Sequence, residues 1–126
     1  MKFTPSPPAL VRVLDATIAS LGGVERRKMF GYPAIFVRGK MIAGLVRNRM
    51  IVRLSATDRA AFLALRGAKP FIAMRGRVMK QWAVVPRSML TSRATLRRWL
   101  TRALGYGRSR PPKQRASRPA RSGRRR

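Results

Sequence analysis

The sequence has no cysteine and no histidine. The first absence excludes disulfides, thiolate nucleophiles and zinc–thiolate centres. The second removes imidazole as general base and as metal ligand. Acidic residues are nearly missing as well: Asp15, Glu25 and Asp58 make up the 3 carboxylate side chains among 126 residues, against 30 Lys+Arg. Acid–base work by two carboxylates needs both at one site, and these three are expected on three separate elements. No Gly-x-x-x-x-Gly-Lys-Ser/Thr loop occurs, and no Gly-x-Gly-x-x-Gly follows an apolar strand, so no phosphate-cradling cofactor loop is expected. No stretch approaches the roughly 18 uncharged apolar residues of a membrane span. The opening residues are not expected to serve as a signal peptide, because Arg12 and Asp15 break the apolar run and no cleavage motif follows. These absences lead us to expect a cytoplasmic protein that is not an enzyme and has no cofactor or metal.

What the sequence does have is positive charge, formally +27. Such a balance says little about fold but favours polyanionic partners, DNA or RNA above all. A genome rich in G and C would favour Arg over Lys; it would not remove Asp and Glu. The length suits one domain plus a tail.

The stretch from Arg26 to Leu54 organises the chain. Apolar runs Ala34–Val37, Met41–Val46 and Met50–Leu54 are separated by Arg38-Gly39-Lys40 and Arg47-Asn48-Arg49. Runs of this length, broken by single Gly or Asn residues that tolerate positive φ, predict three antiparallel strands joined by tight turns. Before them, Ser6 with Pro7 and Pro8 can open a helix, and Leu10, Leu14, Ile18 and Leu21 form its apolar stripe up to Gly22-Gly23. Asp15 lies off that stripe, within reach of Arg12, and Glu25 is expected to pair with Arg26 or Arg27.

After the meander, Ser55-x-x-Asp58 fits a capping box, with a short helix through Phe62 to a stop at Arg66-Gly67. Pro70–Met74 and Met79–Val85 around Arg75-Gly76-Arg77 predict a second hairpin. It puts Trp82 and Val84 on one face, Ala83 and Val85 on the other. Leu96, Trp99, Leu100, Ala103 and Leu104 predict a last helix, capped by Thr91 or Ser92 and stopped at Gly105, where Tyr106 can fold back. Trp99 is expected in the core rather than as a base-stacking platform. The fold class is therefore α+β, two layers, an antiparallel sheet with helices in the order α-β(3)-α-β(2)-α. Residues 1–7 are expected to be loose, 8–105 to form the domain, and 106–126 to be a disordered basic tail.

That tail carries Arg108, Arg110, Lys113, Arg115, Arg118, Arg121, Arg124, Arg125 and Arg126 and no acid. These residues are the candidate nucleic-acid contacts, because flexible Arg segments neutralise phosphates without reading sequence. Arg108-Ser109-Arg110-Pro111 comes near a minor-groove Arg-Gly-Arg-Pro hook, with Ser109 where Gly would let the backbone lie deep. The cation pairs at Arg38/Lys40, Arg47/Arg49 and Arg75/Arg77 read as solvated turns, and neighbouring turns of a meander point to opposite ends.

The sequence resembles the N-terminal domain of the TfoX/Sxy family of bacterial competence regulators over roughly residues 8–104. The matching residues are Arg27-Lys28-Met29-Phe30-Gly31, Val37-Arg38-Gly39-Lys40-Met41, Ala68-Lys69-Pro70-Phe71, Met79 to Pro86 around Trp82, and Leu96, Trp99 and Leu100. The resemblance implies a small two-layer α+β domain without catalytic residues or cofactor. It implies a co-regulator that works by contact with a protein partner of the transcription machinery. Family regulators carry a second, C-terminal domain, and here the Arg-rich tail stands in that place. Sequence-indifferent DNA or RNA binding through the basic tail and the basic surface is the alternative function.

Overall fold

The computed structural model describes residues 4–73 and 76–110. Four helices and six strands follow in the order α1 (Pro8–Ile18), β1 (Glu25–Met29), β2 (Tyr32–Val37), β3 (Lys40–Val46), β4 (Arg49–Arg53), α2 (Ala56–Leu63), β5 (Lys69–Ile72), β6 (Val78–Val84), α3 (Arg87–Leu90) and α4 (Arg93–Ser109). The strands form one antiparallel sheet ordered β1-β2-β3-β4-β6-β5. Because α2 carries the chain across, β6 pairs with β4 and β5 is left at the edge. An edge tolerates Pro70, which has no N–H for a ladder. The fold is thus α+β, with the expected helix–sheet order.

One strand more is present than the three-strand meander predicts. Glu25–Met29 pairs along its whole length with β2, from Glu25 opposite Phe36 to Met29 opposite Tyr32. All five of its residues are exposed. A strand that buries none of its side chains has no apolar alternation to betray it. The turns are two-residue loops. Phe30-Gly31 and Arg38-Gly39 have positive φ at both positions, as a type I′ hairpin requires. In the third loop Arg47, not Asn48, takes the left-handed conformation, at φ 55°.

The core lies between the sheet and the helices. Leu14 of α1, Ile35, Leu45, Met50 and Leu54 of the strand region, Phe62 of α2, and Leu96 and Leu100 of α4 are fully buried. Ala83 and Val85 belong to this core, so the helix-covered face of β6 is theirs rather than that of Trp82. Phe62 and Trp99 meet edge to face at 5.0 Å, which places Trp99 against the core as expected. On the opposite face long cations lie over aromatic rings, Arg27 over Phe36 at 4.9 Å and Arg49 over Phe71 at 5.6 Å.

The last helix runs past its expected stop. It does not stop at Gly105 but runs to Ser109, so Tyr106 to Ser109 are helical and Tyr106 does not fold back. The reason is packing. Gly107 is buried, and a Cβ built there would stand 2.5 Å from Val37 Cγ1 and 2.7 Å from Ile42 Cγ2. The missing side chain lets α4 lie directly on β2 and β3, and tertiary contact overrides the low helix propensity of glycine. At the other end, the Tyr32 hydroxyl donates to the Thr4 carbonyl at 2.6 Å, which ties down part of the segment expected to be loose.

Candidate interaction surface

The three carboxylates are each engaged by a guanidinium. Asp15 accepts from Arg26 at 2.6 Å, not from Arg12, because β1 brings Arg26 beside α1. Glu25 accepts from Arg27 at 2.8 Å, one of the two partners expected. That hydrogen bond holds the Glu25 carboxyl below its ordinary value, and desolvation opposes it more weakly. Asp58 accepts from Arg102 of α4 at 2.8 Å. Its backbone N–H takes the Ser55 hydroxyl at 3.2 Å, so half of the capping box forms while the carboxylate reaches to α4 instead. The three acids stand on α1, β1 and α2, and among the described residues no group of metal-ligating side chains converges. A shallow groove of about 340 Å³ between α1 and the α3–α4 corner is lined by Arg12, Val13, Thr17, Leu90, Arg93 and Leu96, among others. Its ionisable lining residues are the two arginines Arg12 and Arg93, and no carboxylate or lysine stands among them.

Of the nine expected tail contacts, the described residues include two. Arg108 occupies the last turn of α4, where its Nη2 donates to the Gly22 carbonyl at 2.9 Å and its own carbonyl accepts from Arg38 Nη1 at 3.0 Å. It ties the helix end to the α1–β1 loop and the β2–β3 turn, so it is built into the body rather than free in a tail. Arg110 follows the helix, its guanidinium over the Tyr106 ring at 5.4 Å and donating to the Tyr106 hydroxyl at 2.6 Å. Lys113, Arg115, Arg118, Arg121, Arg124, Arg125 and Arg126 lie outside the described residues. The helical backbone at Arg108-Ser109 also differs from the extended chain that a minor-groove hook needs.

Two features escaped the sequence reading. At the β1–β2 turn Phe30 is 90% exposed at φ 54°. Beside it runs the open edge of β1, with Arg26, Arg27 and Lys28. Tertiary structure alone reveals that edge; Met29-Phe30-Gly31 was the available signal. At the other end of the sheet Lys40, read as a solvated turn residue, is buried at 8% exposure, and its Nζ has no hydrogen-bond partner among the described residues. Its backbone pairs with Val37, and Val37 packs inward against Gly107. Burial first, then the charges of Arg110, Arg38 and Arg53, hold its ammonium below the ordinary value. The register of the Gly39 hairpin was the signal available for it.

Among the described residues no helix is long and apolar enough to cross a membrane. Comparison with curated proteins finds no match. The family model described as the TfoX N-terminal domain matches residues 16–106, which takes in every element from the second half of α1 to the last turns of α4. The chain belongs to the TfoX N-terminal domain family.

Proposed function

We propose that this chain is a cytoplasmic, non-catalytic regulatory adaptor of the TfoX/Sxy type, which binds a protein of the bacterial transcription machinery through its β1–β2 hairpin. Phe30 carries the reading. A bulky residue at positive φ is an outlier, and Asn or Gly would close the same turn at lower cost. An aromatic ring left nine-tenths exposed gains nothing from the core. Neither packing nor backbone geometry accounts for Phe30, while an aromatic anchor for a partner pocket does. The adjoining edge of β1, with its second row of backbone groups unpaired by any strand, suits addition of a partner strand. The engagement of all three carboxylates in ion pairs on separate elements supports the non-catalytic part.

The formal charge of +27 favours a second reading, sequence-indifferent binding of DNA or RNA. One experiment separates the two. The chain and its Phe30→Asn variant are used to capture proteins from a nuclease-treated bacterial lysate at about 1 M salt, where charge is screened beyond ~3 Å. The adaptor reading expects a transcription protein held by the natural chain and lost by the variant, with the variant at least as stable. Capture that vanishes with nuclease or salt, equally for both chains, supports the second reading instead.

A further inference from the structure

We propose that the buried start of β3, around Lys40, Arg53 and Arg110, is an oxyanion site that takes a phosphate group. Three observations build it. Lys40 is more than nine-tenths buried, and its Nζ has no partner among the described residues. Arg110 Nε is buried and without a partner among the described residues, just beyond the α4 turn whose Gly107 packs on Val37, the strand partner of Lys40, although its Nη1 is held by Tyr106. Arg53 is half-buried and uses its Nε on Gln81 Oε1 at 2.6 Å, so its terminal nitrogens are free to turn to a ligand.

No carboxylate side chain answers this charge. Asp15, Glu25 and Asp58 are taken by Arg26, Arg27 and Arg102 on other elements. A buried cation without partner is costly, and like charges beside it raise the cost. The depressed basicity of both Lys40 and Arg53, with burial as its first cause and Arg110 contributing to each, agrees with that crowding. An anion seated among the three relieves both effects.

The chemistry of the donors selects the anion. Two planar guanidinium groups match the paired oxygens of a phosphate, and an ammonium adds a point charge. Three cations outmatch a single negative charge, and a phosphate dianion carries more. The Tyr106 hydroxyl accepts from Arg110, which leaves its proton available to a further phosphate oxygen. The site stands at the opposite end of the sheet from Phe30, so it is independent of the hairpin contact.

The test uses the full-length chain and inorganic phosphate, titrated against chloride at equal ionic strength. The readouts are the amide NMR signals of Gly39, Lys40 and Gly107 and the unfolding temperature. Saturable shifts at these amides with a rise in melting temperature are expected. Lys40→Met keeps the alkyl volume without the ammonium, and Arg110→Gln removes one guanidinium at the helix end. Each should weaken phosphate binding by about tenfold or more. Should Lys40→Met fail to fold, Arg110→Gln and Arg53→Gln decide. A single-stranded oligonucleotide is the second probe. If it moves the same amides and phosphate displaces it, the site takes a nucleic-acid phosphate; if inorganic phosphate alone moves them, it takes a free phosphate or phosphomonoester. Shifts no larger than those with chloride, or undiminished in the variants, would overturn the proposal.

Discussion

Gly105 and Gly107 share one helix, yet a methyl group added to each meets different surroundings. At Gly105 nothing lies within 4 Å, whereas at Gly107 the branched side chains of Val37 and Ile42 are already in the way. Gly105→Ala should therefore stabilise the domain by about 0.5–1 kcal/mol through helix propensity. Gly107→Ala should destabilise it by roughly 1–3 kcal/mol through overpacking. Urea unfolding of the two variants checks the opposite signs. A glycine that ends a helix and one that lets it approach a sheet are the same letter, so Gly105 reads naturally as a stop. The difference lies in the partner surface, which is remote in sequence. Lys40 poses a similar problem, since a cation in a hairpin turn is normally solvated. Its native pKa lies below the ordinary 10.5, so between the two values the unfolded chain binds more protons than the native one. Stability then rises with pH across that window and is lowest below it. Lys40→Met should lack that rise: relative to the natural chain it should be more stable near neutral pH, with the gap closing towards about pH 10. Parallel stability–pH curves would refute the assignment.

Elements that bury a stripe were legible, and elements that bury nothing were not. Leu10, Leu14 and Ile18 mark α1, and Leu96, Leu100, Ala103 and Leu104 mark α4, because helical spacing and burial coincide there. The turns at Gly39 and Arg47 were placed by the apolar runs on either side. β1 and the four-residue α3 gave no such signal: the first is wholly exposed, and Met89 is the one buried residue of the second. Capping was legible in part. The Ser55 hydroxyl accepts from the Asp58 N–H, as Ser-x-x-Asp predicts, but the Asp58 carboxylate goes to Arg102, a partner 44 residues away. Ser55→Ala should cost about 1 kcal/mol of stability through loss of the cap. Asp58→Asn should cost less, because the Arg102 side of its ion pair is half exposed to solvent, which screens the attraction. Thermal unfolding ranks the two, and the reverse order would show that the link between α2 and α4 outweighs the cap.

For the molecule as a whole, charge and shape point to different partners. The excess of guanidinium groups draws any polyanion, and that attraction fades with salt. The exposed edge strand and its aromatic tip are the proposed contact, and on that proposal binding should survive high salt. Charge is visible in composition at once, whereas the edge appears only when the sheet is assembled. The expected tail contributes Arg108 to the folded body, so its basic residues do not all stand apart from the domain. Amide hydrogen exchange over the entire chain, alone and in the complex recovered from nuclease-treated lysate at high salt, tests the docking site most directly. The expected result is slowed exchange in the complex at Arg26 to Phe30, with β5 at the far edge unchanged. Unchanged exchange along β1, with protection elsewhere, would contradict it.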